Sequence, residues 1–331
     1  MIRYLWYYQS NISIFFTLQE GKAMAFFQSP TMSSYLMLIA IFCILILLNE
    51  ISRRSQAGGF ILFIILPLFL TIFVWPKTTK GTSVDDWFHY FKVYSSLAGC
   101  IGFWAIRNFK NLNQNKWALC FPPLILSINI LEAVARDFQI GNLGLVNQIF
   151  EGMGTTSGTW NYLNGIAGIL NIITITGWVG ICISSKKSKD MLWPDMLWFW
   201  IVAYDLWNFA YTYNCLGDHA WYCGIALLLA PTVTAFTVGK GAWLQHRAHT
   251  LALWCMFAMT IPSFIDESQF AVKSTQDPRS LYLMSSLALG ANIAVLVYML
   301  YKTIKTHRNG YTAELYSDLK GYAEIKALAV K

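Results

Sequence analysis

Asp205 stands in the run AYDLWNFAYTYN, residues 203–214, within one of the most apolar and tryptophan-rich parts of the chain. An ionised Asp at the centre of a membrane helix costs roughly 2.5–3.5 kcal/mol on insertion scales. No Lys or Arg lies within four residues of it. A counter-charge must therefore come from another helix, from a bound ion or from a proton. Asp205 lies eleven residues beyond Pro194, about 16 Å along a helix axis, close to the midplane of a hydrocarbon core about 30 Å thick. At about 100° per residue, Trp198, Asp205 and Thr212 fall on one line with Asn208 beside it. Trp200, Tyr204, Trp207 and Tyr211 form a second stripe that faces another helix or lipid.

Other polar residues reach similar depth. Asn171 and Asn292 each lie eleven residues inside their own apolar segments. Asn129 and Glu132 sit in the middle and outer half of theirs. Arg136 follows Glu132 by four residues, in the order that favours an ion pair on one helix face, so a self-contained pair is the simple reading. Asn161, Asn164, Gly168 and Asn171 share one helical face, and Ser285 and Asn292 another. Polar stripes on several helices need not face lipid; they can meet around a polar seam or a water-filled cavity. Asp205, Asn208, Asn171, Asn292, Asn129, Glu132 and Arg136 outline such a pathway, with ligand-free hydrogen-bond glue as the alternative.

Acidic residues and His collect elsewhere. DDWFHYF and GDH place Asp85, Asp86, His89, Asp218 and His219 near one surface. Solvated loops are the plain reading, a rim that concentrates cations the sharper one. A divalent-metal site is a lesser alternative for the same residues. His246 and His249 are three apart with no further ligand at a useful distance, which suits an interfacial basic cap. WPD at Trp193–Asp195 suits a helix start, with Pro near the first turn and Asp close behind. There is no Walker loop, no G-x-G-x-x-G, no H-E-x-x-H and no G-x-S-x-G. No Lys sits at mid-depth for a retinal Schiff base, and no pair of His at equal depth suits haem. The residues name no cofactor.

These side chains must be positioned by membrane helices. Of the 331 residues, 56% are hydrophobic and 12% charged, against about a quarter charged in a soluble domain. The net charge of +7 is thus not a nucleic-acid signal; its distribution matters more. Nine apolar segments are long enough to span: 33–50, 60–76, 87–106, 117–135, 160–184, 194–215, 220–238, 243–264 and 281–301. Arg53, Arg54, Arg107, Lys110, Lys116, Lys186, Lys187, Lys189, Lys240 and Arg247 fall in one set of connections, with the tail from Lys302. Lys and Arg mark the cytoplasmic side, so the N-terminus is expected outside and the C-terminus inside. Lys92 falls just inside the outer end of the third segment. Asp137, Glu151, Asp266, Glu267 and Asp277 add to the outer acids.

The expected organisation is an extracytoplasmic segment over 1–32, a helix bundle over 33–301 and a cytoplasmic tail over 302–331, in an all-α polytopic fold. Residues 141–159 read as a surface loop, with a lid or re-entrant piece as the alternative. No cleaved signal peptide is evident, and Met24 can serve as the start. Cys43, Cys100, Cys120, Cys182 and Cys255 read as small core residues; Cys215 and Cys223 flank a short loop and can bridge on an oxidising side.

FVWPK, LAGCIGFWAIR, KWALCFPPLILSINILEA, WNYLNGIAGILNI, WPDMLWFWIVAYDLWNFAYTYNC and KGAWLQHRAHTLALW together resemble a bacterial multispanning family known only as a domain of unknown function, from about Ser33 on. The resemblance implies a prokaryotic inner-membrane protein and transfers no activity and no site residue. The leading expectation is a transporter or channel for a small cation or polar solute, with Asp205 binding the cation or carrying a coupling proton. One alternative is a membrane-embedded enzyme on a lipid-like or isoprenoid substrate, with Glu132, Asp205 and outer His or Asp residues as acid–base groups. Another is a non-catalytic sensor or assembly partner, which requires a dry hydrogen-bonded seam. The bilayer is the expected partner, a homo-oligomer is open, and nucleic acid is not expected.

Overall fold

A computed structural model describes residues 25–329. Most of the segment expected over 1–32, with Arg3, Lys22 and the alternative start at Met24, lies outside the described residues. A helix occupies each of the nine apolar segments: α1 (Met32–Arg54), α2 (Gln56–Thr78), α3 (Trp87–Asn108), α4 (Ala118–Leu143), α5 (Thr159–Ile173), α6 (Trp198–Cys215), α7 (Tyr222–Phe236), α8 (Trp243–Thr260) and α9 (Pro278–Thr306). Four of them, α1, α2, α4 and α9, are long and apolar enough by themselves to cross a bilayer, consistent with an integral membrane protein. Two short hairpins, β1 (Gln148–Phe150) with β2 (Met153–Thr155) and β3 (Cys182–Ile183) with β4 (Met191–Leu192), and a C-terminal helix, α10 (Lys320–Lys326), complete the described elements used below.

Local sequence explains the helix ends. Asp86 caps α3 by accepting the His89 N–H at 3.0 Å, and Asp277 caps α9 by accepting the Arg279 N–H at 2.9 Å. α4 stops at Gly144, whose φ of +64° is left-handed and costs glycine nothing. α2 widens into π turns at Ile61–Ile65 and Leu70–Val74. Pro67 and Pro76 follow those turns and cannot donate to the carbonyls one turn back.

The helices turn their polar side chains inward and leave apolar ones on the outer surface. On α5, Asn161, Asn164 and Asn171 are buried, while Ile166, Ile169 and Ile173 are exposed. Ile39, Leu47, Ile65, Leu68 and Ile72 are likewise exposed on α1 and α2. Lipid, not water, suits that surface. Two cores fill the bundle. One joins residues of α3, α4, α5, α6 and α9 around Ile130 and Trp207; the other joins α1, α2, α3, α7 and α8 around Phe63 and Trp254.

Successive helices run between two ends. At the hairpin end, β1–β2 covers residues 216–219, with the Gly154 N–H donating to Asp218 at 3.3 Å. At the tail end, β3–β4 and residues 307–329 fold against the helices, with Ser184 bridged to Ala329.

Several expectations are corrected. The fifth helix ends at Ile173, not 184, because residues 174–197 turn back as a loop that carries β3–β4. Asp195 does not start α6, which begins at Trp198. Its carboxylate instead accepts the backbone N–H groups of Leu315 (3.0 Å) and Tyr316 (2.8 Å), pinning the tail. Asp205 is therefore seven residues into its helix, about 10 Å rather than 16 Å. Residues 141–159 finish α4 and continue as a largely exposed connection that carries the short β1–β2 hairpin. Cys215 and Cys223 are both free thiols.

Candidate functional site

The two cores meet along a cavity with about 60 Å³ of room for water-sized molecules between α3, α4, α6, α7 and α8. Its polar wall includes His89, Lys92, Asn129, Asn208, His219 and Arg247. A smaller cavity adjoins it, sharing Asn129, Tyr204, Arg247 and Leu251. Along α8 the wall runs from Arg247 to Met259, twelve residues or about 18 Å.

Arg247 is buried, 5% exposed. Its Nε donates to the Tyr204 hydroxyl at 3.3 Å and one terminal nitrogen to Asn208 Oδ1 at 3.2 Å. The guanidinium also lies 5.8 Å from the Tyr204 ring centre. The other terminal nitrogen, Nη1, has no hydrogen-bond partner among the described residues. Lys92, on α3, lies 2.9 Å from Glu132 Oε2 on α4 and donates to the Asn129 carbonyl at 2.9 Å.

The expected Glu132–Arg136 pair is not formed. Arg136 donates to Gln139 Oε1 at 3.0 Å and pairs with Glu151 at the β1–β2 turn. It also lies 5.2 Å from the Phe150 ring centre. Asp205 is off the cavity wall. Its partner is on the seventh helix: the Thr232 hydroxyl donates to Asp205 Oδ2 at 2.7 Å and accepts from the Trp243 indole at 3.1 Å. The aromatic stripe of α6 faces the core, with Tyr204 and Trp243 ring centres 4.9 Å apart, while Trp198 is exposed.

Of the seven pathway residues, the structure thus brings Asn208 and Asn129 to the cavity. Glu132 stands behind Lys92. Asn292 donates to the carbonyls of Ala203 (3.2 Å) and Ala288 (2.8 Å), a contact that ties α9 to α6. Asn171 is fully buried, and neither side-chain polar atom has a partner among the described residues.

The rim residues assemble at the hairpin end. Asp86 Oδ2 accepts from His89 Nδ1 at 2.6 Å, which leaves Nε2 as the acceptor nitrogen; Nε2 has no partner among the described residues. Burial works against the charge of Asp86, but the bonds from His89 prevail and hold its carboxyl below the usual value. His219 lies close by, the two imidazole centres 5.4 Å apart. Ser83 donates to Asp266 at 2.5 Å and accepts from His219 Nε2 at 2.8 Å. Asp85 accepts the Gly81 N–H at 2.8 Å, and Asp218 lies 3.5 Å from Lys273. Among the described residues no group of three or more His, Cys, Asp or Glu converges as metal ligands would. His246 and His249 are buried and shared by Asn49, whose Oδ1 accepts from His249 Nδ1 at 3.0 Å and whose Nδ2 donates to His246 Nδ1 at 3.1 Å.

Sequence reasoning missed three charged residues. Lys92 and Arg247 counted there only as topology markers, although Arg247 stands four residues inside α8. Asp137, counted with the outer acids, is fully buried and accepts from Asn164 (2.7 Å), Asn161 (3.4 Å) and the Cys215 thiol (3.2 Å). The only available signal was position: each follows its segment's helical register into the bundle. No curated protein and no solved structure matches the chain. A model of the family of unknown function DUF5692 matches residues 28–328, and the chain belongs to that family.

Proposed function

We propose that this is a bacterial inner-membrane protein whose nine helices all cross the bilayer, N-terminus outside and C-terminus inside, and that it carries a small polar solute through the cavity beside Asn208 and Arg247. The single observation behind this reading is the cavity itself: a mostly apolar space, about 18 Å long, in the middle of a lipid-facing bundle, with His89, Lys92, Asn208 and Arg247 on its wall. The side assignment rests on Arg53, Arg54, Lys110, Lys116, Lys186 and Lys187 gathering at the tail end. Lys92 and Arg247 on the wall disfavour a bare cation as the solute through like charge. Asp205, behind Thr232 and one turn from Asn208, serves in this reading as a charge near the pathway rather than as the binding group.

The test is solute uptake into proteoliposomes. Leu251→Trp, which fills the cavity where its two parts join, should abolish uptake, and unchanged uptake overturns the reading. A second reading, an enzyme acting on a lipid-like substrate, is favoured by the Asp86–His89 pair and its free Nε2, an arrangement suited to general-base work. Turnover of a lipid-like substrate that is lost in His89→Gln, with no uptake of any solute, would select it.

A further inference from the structure

Arg247 is the one cavity-wall cation, among the described residues, without a carboxylate partner. Lys92 is neutralised by Glu132 at 2.9 Å. Arg247 bonds only to neutral groups, Tyr204 and Asn208, and its Nη1 has no partner among the described residues. A guanidinium cannot shed its proton in a protein, so this charge persists in a poorly solvated place, which is costly unless an anion meets it.

Asp205 is near enough to Arg247 to act on it through space and keeps Oδ1 unbonded among the described residues, but it stands off the wall and makes no ion pair with it, and the other acids around the cavity are held elsewhere. Asp205, on α6, is bonded by Thr232; Asp137, on α4, by Asn161, Asn164 and Cys215; Asp86, before α3, by His89. Glu132 holds Lys92. Among the described residues no carboxylate forms part of the wall. Beyond Arg247 the α8 wall is apolar: Leu251 one turn on, then Trp254, Ala258 and Met259, facing Leu227 of α7.

A cation at one end and an apolar α8 wall beyond it suit an amphiphile, while His89, Lys92 and His219 line the same cavity from other elements. Resting on the reading that this cavity binds the solute, we infer that the solute is an amphiphilic oxyanion, with a carboxylate or phosphate head on Arg247 and an apolar body along Leu251, Trp254, Ala258 and Met259. A planar guanidinium with a free edge suits either head, since both accept paired N–H donors.

The experiment uses the full chain in bilayer discs of zwitterionic lipid and titrates decanoate, decyl phosphate, decylamine and inorganic phosphate, reading binding by calorimetry and by the shift in unfolding temperature. At least one of the two decyl anions should bind tenfold or more tighter than decylamine and than inorganic phosphate, and their ratio identifies the head. Arg247→Gln should bring anion and amine affinities within about twofold of each other, with Arg247→Lys between. Equal binding of amine and anion by the wild-type chain overturns the inference and needs no variant to fold. A preference for anions that survives Arg247→Gln overturns it as well, and so does inorganic phosphate binding as tightly as decyl phosphate. Uptake of a neutral or cationic solute that is blocked by Leu251→Trp, without anion preference, would sink this inference and leave the transport reading standing. Tight Arg247-dependent anion binding without any uptake would do the reverse.

Discussion

Lys92 Nζ lies 2.9 Å from Glu132 Oε2, joining α3 to α4 beside the cavity, with only 12% and 3% of the two side chains exposed. Each charge is expensive to hold in such a place without the other. The pair also decides the field inside the cavity. With Glu132 ionised, Lys92 adds little net charge to the wall, and Arg247 remains the dominant cation.

Removing one partner strands the other. Glu132→Gln should destabilise the bundle by about 3 kcal/mol, the low end for a broken buried pair, because the Lys92 ammonium keeps its bond to the Asn129 carbonyl; Lys92→Met, which strands the buried Glu132 carboxylate, should cost at least as much. The double variant should cost about 2 kcal/mol less than the sum of the two. Chemical unfolding in detergent measures all four corners of the cycle. Simple additivity would mean that the two charges do not depend on each other.

At the tail end a second buried pair predicts a pH dependence. Arg53 donates to Asp190 through Nε at 3.1 Å and through Nη2 at 2.6 Å, and Ser188 (2.6 Å) and Gln245 (3.0 Å) donate to the same carboxylate. Burial pushes the Asp190 carboxyl up, but these bonds and the guanidinium charge outweigh it and hold it well below the usual carboxylate range. A depressed value in the folded state means that the stabilisation is complete above the unfolded value of about 3.9 and is lost as pH falls below it towards the folded value. Stability should therefore be flat from pH 7 to 5 and drop below about pH 4. Asp190→Asn should lose on the order of 2–3 kcal/mol already at pH 7 and flatten the acid limb. It should also loosen the loop that holds Lys186, Lys187 and Lys189. Trypsin should then cut there faster in inside-out vesicles and not in right-side-out ones; cleavage from the opposite side would reverse the proposed orientation.

The contrast between Asn164 and Arg136 shows what a sequence can reveal here. Asn161, Asn164 and Asn171 share a helical face, and that face is buried while Ile166, Ile169 and Ile173 look outward. Period and composition alone carry that much, and they also located a helix in each of nine segments. They do not say which helix lies opposite. Arg136 follows Glu132 at the favourable spacing, yet it reaches Glu151 in a hairpin that no apolar pattern announces. Asp205 finds Thr232, an ordinary residue of an apolar run. Pairing across helices is set by packing in three dimensions, where one small residue or one bend moves a side chain by a full contact. Arg247 was hidden for a related reason: a basic residue near a segment boundary reads as an interfacial charge until the boundary is known to within a turn.

Gly168 tests that packing directly. It lies where α5 crosses α4 and α6, and a Cβ there would stand 2.5 Å from Val134 Cγ2 and 2.7 Å from Trp207 Nε1. Neither neighbour can yield easily. Trp207 is fully buried and its indole N–H donates to the Asn164 carbonyl at 3.1 Å. Close helix approach through small residues is a main source of cohesion within a membrane, and overfilling such a contact costs typically 1–3 kcal/mol. Gly168→Ala should therefore lower stability by about 2 kcal/mol, and Val134→Ala added to it should recover part of the loss by vacating one side of the clash. The effect should also reach the cavity, because Trp207 stacks on Tyr211, ring centres 6.3 Å apart, and Tyr211 stands on the cavity wall. A displaced Trp207 pushes Tyr211 inward, so ligand binding measured in bilayer discs should weaken in Gly168→Ala and recover in the double variant. Full stability in Gly168→Ala would show that α4, α5 and α6 do not meet as closely as described.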